Sequence, residues 1–171
     1  PAPNRRLSRR RRLRMEPLER RLALATFAFD FGVDDGGFTS TGDFGANPWS
    51  YTGSQWQTVT TTNGESNLIS PEFTAEDATV SLSFDHAYNF LDDFQGIFRH
   101  VNGGHLQARI NGGPYQVIDP DAGYTAESGG IAALVFARGW GGDSGGTVTD
   151  TASVEVSAGD TVQFRFRVGW T

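Results

Sequence analysis

The sequence predicts an all-β domain, a sandwich of packed sheets, and three observations carry that prediction. First, apolar residues recur with a period of two in several short segments. That period puts one set of side chains on a core face and the other toward water. Val80, Leu82 and Phe84 alternate with Ser81, Ser83 and Asp85, and Leu106, Ala108 and Ile110 alternate with Gln107, Arg109 and Asn111. The clearest case is Val162, Phe164, Phe166 and Val168, with Gln163, Arg165 and Arg167 predicted outward. Second, turn chemistry separates these runs: Asn102-Gly103-Gly104, Asn111-Gly112-Gly113-Pro114 and Ala158-Gly159-Asp160. Asn-Gly pairs accept positive φ and favour tight hairpins, so Asn111-Gly112 predicts a hairpin into Tyr115-Gln116-Val117-Ile118. Third, 22 Gly and 13 Phe in 171 residues suit a turn-rich β domain with aromatic volume for a core.

Length allows one domain with a tail. The chain has no Cys, which excludes disulfides, thiol catalysis and Cys-based zinc sites. The net charge of −6 hides an asymmetry. All 14 basic residues are Arg, and nine of them lie in the first 21 positions. From Thr26 onward five Arg face eighteen acidic residues, a formal −13. An acidic body repels phosphate and is a poor nucleic-acid binder; it suits a cation or a neutral sugar better.

Residues 1–25 form a basic appendage, read either as a disordered tail or as a short helix with Leu18 and Leu22 on one face. Residues 22–29 are apolar apart from Thr26 but lack a clear cleavage site, so an ordinary signal peptide is not expected. No run is long enough to span a membrane. Phe27, Phe29 and Phe31 alternate and predict the first strand. Asp34-Asp35-Gly36-Gly37 then predicts a turn, which is either a calcium corner built from hard carboxylate oxygens or simply Asp-Gly turn chemistry. The polar stretch that follows embeds Phe44, Trp49, Tyr51 and Trp56. These rings, with Trp140, are candidates for a sugar-stacking platform, the alternative being core residues of irregular strands. Pro71 cannot donate to a ladder and is expected at a sheet edge or a strand start.

His86, His100 and His105 invite a metal reading with Asp85, Asp92 or Asp93, but their spacing fits no metalloprotease helix motif, and structural or surface histidines are expected instead. Asp92 and Asp93 are a second candidate calcium position. As neighbours on a strand they point to opposite faces, which argues against a glycosidase pair. The apolar residues 131–136 predict a short strand. Gly142-Asp143-Ser144-Gly145-Gly146 spells the nucleophile segment of chymotrypsin-like proteases. That chemistry also needs a His base and an Asp orienter on a two-barrel fold, for which the chain is short, so a Gly-rich turn is expected and Ser144 remains a remote alternative nucleophile.

The order of these pieces resembles the MAM-like jelly-roll domains attached to immune-inhibitor-A-type bacterial metallopeptidases and surface proteins. The resemblance rests on Phe29-Asp30-Phe31 with Gly37-Phe38-Thr39, on Leu-Ile-Ser-Pro-Glu-Phe at 68–73, and on Leu82, Phe84, His86 and Tyr88. It continues through the hairpin at 102–113, the Gly-rich loop at 140–146 and the Ala-Gly-Asp-Thr-Val-Gln-Phe-Arg-Phe-Arg strand at 158–167. Separately, Met-Glu-Pro-Leu-Glu-Arg-Arg-Leu-Ala-Leu at 15–24 resembles the Leu-Glu-Pro-Arg type N-terminal segment of large bacterial surface proteins, which implies export. Three departures stand out. The family's acidic hairpin residues are here Asn102, Gln107 and Asn111, which would weaken any calcium site there. The family's closing strand is expected to be missing after Gly169-Trp170. No metallopeptidase domain is expected, since His-Glu-x-x-His is absent from the sequence.

The resulting expectation is a jelly-roll β-sandwich over 26–171, lacking its final strand, behind an Arg-rich export-type tail at 1–25. Its expected role is a non-enzymatic extracellular adhesion or glycan-binding module, with a structural calcium ion left open. The competing expectation is an accessory domain of a larger secreted hydrolase.

Overall fold

The computed structural model describes residues 29–43, 49–59, 63–90 and 100–170, and these form an all-β protein. The Arg-rich segment 1–25 and the pair Asp92 and Asp93 lie outside the described residues. In chain order the strands are β1 (Thr39–Asp43), β2 (Ser50–Tyr51), β3 (Trp56–Gln57), β4 (Gly64–Ile69), β5 (Phe73–Thr74) and β6 (Thr79–His86). They continue as β7 (Gly103–Ile110), β8 (Gln116–Val117), β9 (Ala126–Ile131), β10 (Ala137–Gly139), β11 (Val148–Glu155) and β12 (Thr161–Trp170).

One six-stranded antiparallel sheet runs β1-β4-β12-β7-β8, with β5 also on β12. Strand β12 is its axis, pairing Arg165 with Ile69 on one side and with Gln107 on the other. Strands β4 and β5 are one strand interrupted by a bulge. Ile69 faces Arg165 and Phe73 faces Val162, so four steps on one strand meet three on β12. Pro71 sits in that interruption, where its missing N–H costs no ladder bond. Ser70 closes the gap: its N–H donates to the Phe164 carbonyl and its hydroxyl accepts the Phe164 N–H, both at 3.0 Å.

A two-stranded ribbon, β6 with β11, packs across the inner face of this sheet. The alternation at 80–84 and at 162–168 supplies both sides of the core. Val80, Leu106, Ala108, Ala152, Val162 and Phe164 are buried together with Tyr124 and Trp140, and Leu82, Phe84 and Phe166 pack around them. The Tyr124 hydroxyl accepts the Leu106 N–H at 3.0 Å and donates to the Ile118 carbonyl at 2.6 Å, which ties the loop before β9 to β7. Desolvation raises this phenol far above its ordinary pKa, so it stays a neutral donor.

The Asn111-Gly112 hairpin forms as predicted, with both residues at positive φ (52° and 67°) and Gln107 opposite Val117. Two local predictions fail. Phe29 and Phe31 are not in a strand: the Val33 N–H returns to the Asp30 carbonyl, and both rings meet Phe38 edge-on at 5.0 and 5.3 Å. Residues 131–136 are not one strand either. The chain leaves β9 at Ile131, makes a 3-10 turn at Ala132–Leu134, and passes through Val135 and Phe136 at positive φ before β10. This excursion crosses the outer face of the large sheet at Gly169, near the end of β12, forming a second small core of Ala126, Ile131 and Leu134. Gly103 permits the crossing, since a Cβ there would lie 2.3 Å from Ile131 and 2.4 Å from the Trp140 carbonyl.

Candidate functional site

The aromatic candidates do not form one platform. Tyr51 and Trp56 face each other across the β2–β3 pair, with ring centres 5.7 Å apart and planes tilted by 44°. Their polar tips are used internally: the Tyr51 hydroxyl donates to the Phe31 carbonyl at 2.5 Å and Trp56 Nε1 to the Asp35 carbonyl at 3.0 Å. They pin the hairpin onto the loop at 29–38. Trp49 is half-buried, and its Nε1 lacks a partner among the described residues. Trp140 is 6% exposed, wedged among Phe84, His86 and Tyr124, so its ring is a core ring.

At the candidate calcium corner, Asp34 Oδ1 accepts the Gly36 N–H at 2.8 Å and Asp35 Oδ1 accepts the Gly37 N–H at 2.9 Å. Both are side-chain turns of the kind Asp makes without metal. Desolvation, then the charges of Asp34, Asp35 and Asp30, raise the Tyr51 phenol above its ordinary range. Among the described residues, no three His, Asp or Glu side chains gather as a metal-binding group.

The histidines divide. His86 Nε2 lies 2.9 Å from Asp150 Oδ2 on the β6–β11 ribbon, against Trp140. His105 is 1% exposed, on the outer face of the large sheet, with Nδ1 3.3 Å from the Arg138 carbonyl. Desolvation pushes its pKa down to about 4, reinforced by Arg167 and Arg165, so it is neutral, with Nδ1 the donor and Nε2 an unpartnered acceptor. His100 bridges to Ile131 beside Gly141. Ser144 partners backbone rather than a histidine. Its hydroxyl accepts the Tyr88 N–H at 3.0 Å and lies 3.1 and 2.8 Å from the Tyr88 and Gly146 carbonyls.

The structure gathers polar side chains elsewhere, on the outer face of the large sheet. Register places Asn67, Arg167 and His105 in one row, Ile69, Arg165 and Gln107 in the next, and Gln163 with Arg109 in a third. These groups hold one another. Arg165 Nε donates to Gln107 Oε1 at 2.6 Å, and its guanidinium lies 3.8 Å from the centre of the Tyr115 ring. The Tyr115 hydroxyl donates to Gln163 Oε1 at 2.5 Å, and Gln163 Nε2 donates to the Ser70 carbonyl at 2.7 Å. Arg109 lies 5.2 Å from the same ring and pairs with Glu72, while Arg167 makes a two-point pair with Glu65. Arg109 Nε and Asn67 Oδ1 are buried without partners among the described residues. Desolvation, with the charges of Arg167 and Arg109, lowers the Arg165 pKa from its usual value.

Sequence reasoning placed Gln163, Arg165 and Arg167 outward but assigned them no role. The missed signal was that Gln107-x-Arg109 and Arg165-x-Arg167 bring three of the body's five Arg to adjacent strands. Comparisons with protein-family models, characterised proteins and solved structures find no match for this chain.

Proposed function

We propose that this chain is a non-enzymatic extracellular adhesion or glycan-binding module of jelly-roll type, and that it binds through the outer face of its large sheet. The observation that supports this reading is the state of that face. Its guanidinium, amide and phenol groups are half-buried and fixed by one another. Planar polar groups held rigid beside an aromatic ring suit the hydroxyls and ring faces of a sugar. Export is supported by the resemblance at residues 15–24. The test is a panel of neutral and acidic glycans probed with the whole chain and with Tyr115→Ala, unfolding being monitored for both. Binding by the parent and its loss in the variant are expected. Absence of binding across the panel, or binding indifferent to Tyr115, refutes the assignment.

A structural calcium ion at Asp34 and Asp35 belongs to the same proposal. Thermal unfolding in calcium and in EDTA decides it: a calcium-dependent rise that Asp34→Asn with Asp35→Asn abolishes supports the ion, and equal melting temperatures remove it.

The second reading, an accessory domain that packs against a larger hydrolase, is favoured by one observation. Val135 is 80% and Phe136 53% exposed, both at positive φ, so a strained turn presents apolar side chains at the surface.

A further inference from the structure

We propose that the ligand of this face is an acidic sugar, a uronate residue of a polysaccharide, and that Arg165 anchors its carboxylate. The inference rests on the glycan-binding reading above and adds the chemical class of the sugar.

Charge placement is the first reason. The body of the chain is strongly acidic, yet three of its five Arg stand on one sheet face: Arg109, Arg165 and Arg167. Glu72 takes Arg109 and Glu65 takes Arg167. Arg165 has no carboxylate within ion-pair distance among the described residues; it meets the Gln107 amide oxygen and the Tyr115 ring, and feels the Glu65 charge only from further off. A half-buried guanidinium with no carboxylate in contact is costly, and a chain with eighteen acidic residues in its body does not lack carboxylates to place beside it.

The second reason is preorganisation. Arg165 Nε is committed to Gln107 and its plane is held against Tyr115, whose hydroxyl is in turn held by Gln163. What remains is the pair of terminal nitrogens, a fixed fork that matches the two oxygens of a carboxylate.

The third reason separates a sugar from an acidic peptide. Peptides add to sheets along an exposed edge, through main-chain ladder bonds. Arg165 lies on β12, the central strand, flanked on both sides by β4 and β7, so the offered surface is a face. A carboxylate carried on a compact ring that can lie on such a face describes a uronate.

The experiment uses the whole chain, its Arg165→Gln and Arg165→Lys variants, and Arg138→Gln as a control arginine whose side chain pairs with Asp119 and not with the groups around Tyr115. The probes are galacturonate and glucuronate oligomers, the same oligomers with carboxyls reduced to alcohols, and a poly-glutamate peptide. Uronate oligomers are expected to bind the parent. Affinity should fall at least about tenfold in Arg165→Gln, which matches the loss of one charge-assisted hydrogen bond. The fall should be smaller in Arg165→Lys, which keeps charge without the fork and keeps the test open should the glutamine variant unfold, and absent in Arg138→Gln. Equal binding of the reduced oligomers overturns the uronate assignment while leaving the glycan reading standing. Arg165-dependent binding of poly-glutamate without uronate binding overturns it in favour of an acidic peptide. Failure of every sugar, neutral or acidic, overturns both.

Discussion

The two faces of the large sheet are built from the same strands with alternate residues, yet they are held by different physics. Inward, Leu106, Ala108, Val162 and Phe164 lie almost fully out of water and pack against the β6–β11 ribbon. Outward, His105 and Gln107 on the same strand β7 are buried just as deeply, at 1% and 4% exposure, but among polar neighbours. The inner face gains from apolar area and close packing, which tolerate no loss of volume. The outer face gains little net energy from hydrogen bonds that replace bonds to water, and what it acquires is fixed geometry. Stability should therefore reside inward and recognition outward.

The largest expected effect comes from the inner face. Phe164→Ala removes a ring packed at 5.8 Å from Phe73 and touching the common core, and should cost about 3–5 kcal/mol in denaturant unfolding. A loss below about 1 kcal/mol would mean that the ribbon does not pack on this face as described.

Next comes a test of the buried outer face by pH. His105 has a folded pKa near 4, against about 6.5 when unfolded. Above pH 6.5 both states are neutral and the group contributes no pH dependence. Between 6.5 and 4 the unfolded state takes up the proton first, so stability falls with falling pH, by at most about 3 kcal/mol; below 4 both states are protonated and the loss stops growing. Subtracting the stability–pH curve of His105→Gln from that of the parent isolates this group from the carboxylates. The difference should slope between pH 6.5 and 4, and a flat difference would show the imidazole to be hydrated in the folded chain.

This contrast also marks where the sequence was legible. The inner face is a local pattern: a period of two in Val162, Phe164, Phe166 and Val168 needs no knowledge of the rest of the chain. The Asn111-Gly112 turn is local in the same sense. Burial of His105 is not, because Arg138 on β10, far along the chain, lies against it, and the polar residue itself reads as solvent-facing. The apolar run Ile131 to Phe136 could not be told from a strand by periodicity. The Phe29 and Phe31 alternation misled for a related reason: Asp30 turns the chain with its own side chain, accepting the Gly32 N–H at 2.9 Å, a contact that a count of apolar spacing ignores. The candidate face was legible in its parts, since Arg165 and Arg167 were placed outward, but strand order decides which Gln, Tyr and Glu meet them.

The smallest expected effects lie in the two ion pairs of the outer face, and they sharpen the contrast by separating stability from recognition. Glu65 and Arg167 are each less than a quarter exposed, whereas Glu72 and Arg109 are 48% and 30% exposed. Glu65→Gln should cost about 1 kcal/mol, because it leaves a largely covered guanidinium with an amide in place of a charge. Glu72→Gln should cost less than about 0.5 kcal/mol, within the range of solvent-screened pairs. Yet Glu72 is the carboxylate that competes for the arginines around Tyr115. Its removal should tighten binding of a uronate oligomer while the melting temperature stays put, and the tightening should shrink as salt is raised. A variant that binds more weakly at unchanged stability would place Glu72 among the groups that contact the sugar, and would shift the anchoring role from Arg165 alone to the Arg109–Glu72 pair.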